Sequence, residues 1–138
     1  MLAWWRKEEE TGQGPHPWRH LNGAEASAPF VRLEVLNASG HPGLASRWTR
    51  LLRSLGRYDV TYFGNASLQT SARSLLITRG ADLRLAKEIS VSLNKQTGLR
   101  LLHEVAPGEN QELQFTLLLG EDAAESPVLK KNDGLISP

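Results

Sequence analysis

The sequence predicts an α+β fold, a two-layer sandwich in which two helices lie on one face of a mixed sheet of four to five strands. In "FVRLEVLN", apolar Val31, Leu33 and Val35 alternate with charged residues, which is the period of a half-buried strand. A helical period follows directly, and two helical patterns among several short strands favour a sandwich. The predicted order is β-α-β-β-α-β-β, and its start permits a parallel strand pair joined by a crossover helix.

The first helix is predicted from an apolar stripe that begins after Pro42. Its members recur at spacings of three and four residues and therefore share one helix face. They are Leu44, Ala45, Trp48, Leu51, Leu52 and Leu55. Gly56 follows the stripe, and a glycine just beyond the last apolar residue is typical of a helix end.

The later elements have weaker but consistent patterns. "YDVTYFG" and "SARSLLITRG" are rich in β-branched, aliphatic and aromatic residues and predict two strands. "ADLRLAKEISVSLN" predicts the second helix, with Asp82 near its start, where negative charge suits the helix dipole. "LRLLHEV" and "ELQFTLLLG" predict two more strands, joined through a turn at Pro107 and Gly108.

The two ends of the chain look irregular. Residues 1–29 predict an extended segment that carries Trp4, Trp5 and Trp18 among glycines, prolines and mixed charges. Residues 123–138 are polar and interrupted by prolines, and we expect a flexible tail there. The patterned middle of the chain, residues 30–122, is then a single domain.

Composition excludes several classes of function. The chain has 138 residues, no cysteine and a formal net charge of +1. The charge provides no overall field for nucleic acid, and the absence of cysteine excludes disulfide scaffolds and zinc–thiolate sites. No apolar run reaches the roughly 18 residues of a membrane-spanning helix. We therefore expect the chain as given to be soluble or peripheral, and whether a membrane anchor was removed from its N-terminus is left open.

The turn "NASGHPG" admits two interpretations. A glycine-rich turn before a helix exposes backbone N–H groups that can bind an anion. However, the lysine and the glycine spacing of nucleotide-binding loops are absent. A conformational role is favoured, with side-chain caps, glycine backbone angles and proline at the first helical position. The residues of this structural turn are Asn37, Ser39, Gly40, Pro42 and Gly43.

No motif predicts catalysis, a cofactor or a metal. The serines lie outside any Gly-x-Ser-x-Gly elbow. His16 and His20 flank Trp18 without a carboxylate at helical spacing, and His103 is predicted on a strand. We therefore expect a protein that is not an enzyme.

Two groups of residues are candidates for contact with a partner. Arg50, Arg53 and Arg57 are spaced to share a helix face and would suit an anionic polymer, a lipid headgroup or an acidic protein surface. A solvated helix face explains them equally well. Trp4, Trp5 and Trp18 are costly to expose, and tryptophan is favoured at protein interfaces and at membrane interfaces. The alternative is that these residues fold back and cover the sheet, and contact with a partner or a membrane is favoured.

The stretch "VRLEVLNASGHPGLASRWTRLLRSLG" resembles the opening of the LytR C-terminal domain family of bacterial cell-envelope proteins. The family pattern continues with a Tyr-Asp-Val strand, a Gly-Asn pair and a late strand that ends in Leu-Gly. The corresponding residues are Tyr58, Asp59, Val60, Gly64, Asn65, Leu119 and Gly120. The resemblance covers about residues 30–122.

This resemblance implies an accessory module of the cell envelope, because the phosphotransferase chemistry of LytR–CpsA–Psr enzymes belongs to a different domain. The function expected is a non-catalytic interaction module, an accessory or scaffolding subunit that contacts a larger membrane protein complex. The alternative is binding of an anionic cell-wall glycopolymer, or service as an accessory domain of a wall-polymer transferase. Peripheral membrane contact through the N-terminal segment is also expected, with no nucleic acid partner. The partner, the oligomeric state and the side of the membrane are left open.

Overall fold

A computed structural model describes residues 30–67, 70–80, 82–108 and 112–136 of the chain. They form the predicted α+β fold, with a five-stranded mixed sheet and one helix more than the two predicted. The elements are β1 Val31–Asn37, α1 Leu44–Ser54, β2 Tyr58–Asn65, β3 Leu75–Thr78, α2 Leu83–Thr97, β4 Leu102–Val105, β5 Phe115–Leu119, a 3-10 helix Glu121–Glu125, and α3 Pro127–Ile136.

The strands lie in the order β2-β1-β5-β3-β4. The β1–β2, β1–β5 and β3–β4 pairs are parallel, and only β3 and β5 run antiparallel. All five residues of β5 are buried, as its central position requires, whereas all four residues of the edge strand β4 are exposed. Strand β5 is paired along both of its edges, with β1 on one side and β3 on the other.

Two strand–helix–strand units make up most of the sheet. Helix α1 connects the parallel strands β1 and β2, and α2 connects the parallel strands β3 and β4. Strand β5 is the last strand in the sequence and lies between the two units. The segment that contains Pro107 and Gly108 therefore leads past β3 and does not close a hairpin between β4 and β5.

The helix ends depend on residues with defined backbone roles. Helix α1 begins at Leu44, and its N-cap is Gly43 in the left-handed region with φ of 78°. Pro42 therefore precedes the cap, and its predicted place at the first helical position is wrong. Asp82 caps α2, because its Oδ1 accepts a hydrogen bond of 2.7 Å from the Leu85 amide. Gly56 follows α1 with φ of 84°, as expected for a terminating glycine.

The core lies between the sheet and the helices. Val31, Leu33 and Val35 of β1 are fully buried on the face that the helices cover. Trp48 of α1 is the largest fully buried side chain. Its partners in the same cluster come from β5 and α2, including Phe115 and Ile89. The alternation of β1 and the stripe of α1 therefore meet in one hydrophobic cluster.

The C-terminal region differs from the expected flexible tail. Residues 121–136 form the 3-10 helix and α3, and Leu129 of α3 is fully buried in the core. Two polar contacts attach this region to α1: Trp48 Nε1 donates to the Ala123 carbonyl at 3.0 Å, and Arg47 Nε donates to Asp133 Oδ2 at 2.6 Å. The polar composition misleads here because buried Leu129 and the contacts with α1 hold this region on the core, and neither is visible as a pattern in the sequence.

The predicted N-terminal segment, residues 1–29 with Trp4, Trp5 and Trp18, lies outside the described residues. Among the helices that the structure describes, none has the length and hydropathy to cross a membrane.

Candidate functional site

The turn between β1 and α1 is held by its own side chains. Asn37 Oδ1 accepts from both the amide and the hydroxyl of Ser39, at 2.9 and 2.6 Å, and Asn37 Nδ2 donates to the His41 carbonyl at 2.7 Å. Ser39 Oγ accepts in turn from the His41 amide at 2.9 Å. Gly40 has φ of 84°, a conformation that glycine adopts without steric cost. These contacts support the conformational interpretation of the turn.

The predicted arginine row is only partly on one helix. Arg50 and Arg53 are exposed on α1, but α1 ends at Ser54 and Arg57 lies beyond the left-handed Gly56. The prediction that Arg57 continues the helix face is wrong, because the change of backbone direction at Gly56 turns the chain into β2. Arg57 instead forms a 3.2 Å ion pair with Glu88 of α2.

Basic residues dominate both long helices. Helix α1 contains three arginines and no acidic residue, whereas α2 contains three basic residues and a single glutamate, Glu88. The exposed cations on these helices are Arg50, Arg53, Arg84, Lys87 and Lys95. We call this set the basic helix surface. Its members on α2 were not predicted, although their spacing of three, eight and eleven residues places them on one helix face.

The basic helix surface includes exposed apolar area. Val91 is 49% exposed and lies on the same helix face as Arg84, Lys87 and Lys95. Together with Glu88 and Ser92, these residues line an open, shallow depression of about 450 Å³. A wide depression on a helix exterior suits contact with a surface better than enclosure of a small molecule.

The opposite face of the sheet is a second candidate surface. In the strand register, Tyr62, Glu34, Thr116, Ile77 and Glu104 form one row across all five strands. The next row consists of Gly64, Leu36, Leu118, Leu75 and Leu102. Leu118 is buried but does not belong to the core cluster beneath the helices, as expected for this side of the sheet. We call these two rows the open sheet face, because the described helices pack on the other side.

A chain of hydrogen bonds crosses the centre of the open sheet face. The fully buried Thr116 hydroxyl donates to Glu34 Oε2 at 2.7 Å and accepts from Arg79 Nε at 3.0 Å. Arg79 also donates to the Ala106 carbonyl at 2.8 Å. A carboxylate and a guanidinium are thereby held in fixed positions among aliphatic side chains.

The largest apolar exposures on this face are at its margins. Tyr62 on the edge strand β2 is 56% exposed, and Leu102 on the opposite edge strand β4 is 47% exposed. Phe30, which directly precedes β1 in the same alternation as Arg32, is 65% exposed. Aromatic side chains are enriched at protein interfaces, so exposed Phe30 and Tyr62 make this face a candidate for contact with a partner.

One titratable group lies where β2 meets α2. Burial of Tyr58 raises the pKa of its hydroxyl above the ordinary value of about 10. The neighbouring Ser92 hydroxyl and Arg57 guanidinium oppose this rise, and the Glu88 carboxylate adds to it. Tyr58 belongs to the core, so this shift concerns stability and not a reaction.

The described residues do not assemble a metal-binding cluster. Among them, no three histidine or acidic side chains lie close enough to hold an ion. His103 Nε2 lies 3.1 Å from Ser90 Oγ on the exterior of α2, and His16 and His20 lie outside the described residues.

Comparison with curated proteins and with solved structures gives no match. A protein-family model does match: LytR_C, described as LytR cell envelope-related transcriptional attenuator, over residues 31–122. The match begins at the first residue of β1 and ends within the 3-10 helix, so it covers the whole sheet with α1 and α2. It covers two thirds of the chain. The chain therefore belongs to the LytR_C family, the LytR C-terminal domain family, which is an accessory domain family associated with the cell envelope.

Proposed function

We propose that the protein is a non-catalytic interaction module of the bacterial cell envelope that acts as an accessory or scaffolding subunit of a larger membrane protein complex. The family supplies the envelope context and the accessory role. The open sheet face is the observation that carries the proposal, because exposed Tyr62 and Leu102 border a polar chain that is already ordered.

The side chains of the open sheet face are already ordered in the free protein, and this order favours binding of a partner. Groups that are held in place before contact lose little conformational freedom when a partner arrives. Glu34 and Arg79 are held by Thr116, so both are available to a partner in one arrangement. Tyr62 packs over Gly64, where a Cβ atom would lie 2.6 Å from the tyrosine hydroxyl. A positioned tyrosine of this kind is a common anchor at protein interfaces.

The N-terminal tryptophans are included in the proposal as additional contacts. Trp4, Trp5 and Trp18 precede β1, which is an inner strand of the same sheet. Contact of these residues with the complex or with the membrane surface would add aromatic area to the interface.

Capture from detergent-solubilised membranes tests the proposal. The full chain is immobilised and compared with a sheet variant, Tyr62→Glu with Leu102→Glu, and a matched helix variant, Leu83→Glu with Val91→Glu. All four positions are between 47 and 63% exposed, so both variants are expected to fold. A stoichiometric membrane protein that binds the wild type and the helix variant, but not the sheet variant, is the expected result. Capture that the sheet variant retains would contradict the proposal.

A second candidate is binding of an anionic wall glycopolymer, or service as an accessory domain of a wall-polymer transferase. The cations of α1 and α2 favour it, since a polyanion would be attracted to them. Retention of the chain on purified wall polymer, in the absence of any protein partner, would support this candidate over the first.

A further inference from the structure

We propose that the basic helix surface docks on anionic lipid headgroups, so that the helix layer faces the membrane and the open sheet face points away from it. The proposal concerns a different surface from the one that carries the proposed function. The ligand proposed for this surface is the phosphate group of lipid headgroups in a bilayer.

The charges of the helix layer are unevenly distributed. Of the acidic residues, α1 has none and α2 has Glu88, which is paired with Arg57. Helix α3 packs against both α1 and α2 and adds the exposed Lys131. Lys130 of α3 pairs with Glu125, and Asp133 of α3 pairs with Arg47. Cations from three helices therefore lie in one layer, on the side of the molecule away from the sheet. Such an arrangement produces a local positive potential although the net charge of the chain is only +1.

The shape of this surface favours a bilayer over a polymer chain. Arg84, Lys87 and Lys95 lie along the exterior of α2, over a length of about 16 Å. The depression beside them is open and shallow. A flat array of cations can meet many headgroups at once, whereas a single polymer strand is held best in a groove that follows its backbone.

Apolar area at the centre of the array supports the same choice. Val91 lies among the cations, and Leu83 at the start of α2 is 63% exposed. Helices that lie in a membrane interface combine Lys and Arg with apolar residues that enter the headgroup region. The arginines also carry long aliphatic stems that lie along such a boundary while the charge stays in water.

The strength of binding to an anionic bilayer can be estimated from the number of cations on the basic helix surface. Each Lys or Arg near an anionic bilayer contributes roughly a five-fold gain in partition. Neutralising two cations of the array should therefore reduce partition about twenty-five-fold. The attraction should also weaken as salt rises, because the Debye length is about 10 Å at 0.1 M salt and shorter above it.

Vesicle co-sedimentation of the full chain tests the proposal, with phosphatidylglycerol-containing vesicles compared with pure phosphatidylcholine vesicles. The test variant is Arg84→Gln with Lys95→Gln. The matched control is Arg73→Gln with Arg100→Gln, which removes the same charge from the loops that precede β3 and β4. Arg84→Lys keeps the charge and should keep the binding. Thermal unfolding of each variant establishes that the fold is retained.

The expected result is binding to phosphatidylglycerol vesicles that the test variant loses and the control variant keeps. Equal loss in both variants would overturn the proposal, since net charge alone would explain it. Absence of binding to phosphatidylglycerol vesicles would also overturn it, and retention on a soluble polyglycerol phosphate in that case would assign the surface to a polymer. Capture of a membrane protein through the open sheet face is independent of these outcomes, so the two proposals can fail separately.

Discussion

The indole Nε1 of Trp48 donates a hydrogen bond to the carbonyl oxygen of Ala123 at 3.0 Å. Trp48 is fully buried in the middle of α1, and Ala123 lies in the 3-10 helix that follows the last strand. A buried indole N–H needs a partner, because an unpaired buried donor is costly. The hydrogen bond therefore connects Trp48, the largest fully buried side chain, to the 3-10 helix that precedes α3.

Truncation of Leu129 should destabilise the whole domain. Leu129 of α3 is fully buried, so Leu129→Ala is expected to lower the free energy of unfolding by about 3 kcal/mol. Urea denaturation followed by circular dichroism measures the change. Val128→Ala, at a neighbouring position that is 36% exposed, is the control and should cost much less. Equal stability of the Leu129 variant and the wild type would mean that α3 is dispensable for the core.

The ion pair between Arg47 and Asp133 should show a measurable coupling energy. Its atoms are 2.6 Å apart and both side chains are largely shielded, at 31 and 25% exposure. A double-mutant cycle with Arg47→Ala and Asp133→Ala is expected to give about 1 kcal/mol. The exposed pair of Lys130 and Glu125, at 3.4 Å, is the comparison and should give less than about 0.5 kcal/mol. Similar values for the two pairs would contradict this account of how α3 is attached.

Gly120 should tolerate no side chain. A Cβ atom there would lie 2.5 Å from the Arg73 carbonyl carbon, and a backbone atom cannot move aside cheaply. Gly120→Ala is therefore expected to cost about 2 kcal/mol or more of stability, measured by thermal or urea unfolding. Gly108→Ala provides the control, because its nearest contact is the flexible Arg79 side chain at 3.5 Å. A stable Gly120 variant would show that the approach of β5 to the segment before β3 is looser than described.

Stability should fall at alkaline pH partly through Tyr58. Because burial raises the pKa of Tyr58 in the folded protein, the unfolded chain ionises first, near pH 10. Its contribution is fully present below that pH and is lost as pH rises toward the folded-state pKa. Unfolding free energies measured from pH 8 to about 11 should fall less steeply for Tyr58→Phe than for the wild type. A Tyr58→Phe variant whose stability falls with the same slope as that of the wild type would refute the assignment.

Removal of Glu88 should strengthen contact with anionic lipid. Glu88 is the acidic residue of α2, so Glu88→Gln is expected to raise partition to phosphatidylglycerol vesicles roughly five-fold. Glu104→Gln makes the same charge change on the exposed strand β4, on the other side of the molecule, and is expected to have a much smaller effect. If both variants gain equally, the helix layer has no particular role in vesicle binding.

Most of the local structure follows from residue spacing. The alternation of Val31, Leu33 and Val35 predicts β1, and the stripe around Trp48 predicts α1 with its end at Gly56. Asp82 identifies the start of α2. These features depend on residues within a few positions of one another, so a single sequence contains the information. The family pattern is also local in origin, and the family match includes all of these residues.

The candidate surfaces could be predicted only in part. Arg50 and Arg53 are visible as an exposed pair on a helix face, but Arg57 lies beyond Gly56 and pairs with Glu88 of another helix. The placement of α1 and α2 in one layer cannot be predicted from the spacing of residues within each helix, because it depends on how each helix packs on the sheet. The row from Tyr62 to Glu104 likewise exists only once five strands have a register.

By itself the sequence determined the type and approximate limits of α1, α2 and the strands, and membership of an envelope-associated family, whereas it did not predict α3. The tertiary structure alone decided that β5 lies between β1 and β3, that α3 packs on α1 and α2, and that cations collect on one side. The physical reason is the range of the interactions. Periodicity and caps act within one or two turns of chain, whereas strand order, core closure and surface potential arise from residues far apart in sequence. Trp48 and Ala123, separated by 75 positions, meet only because the whole sheet forms between them.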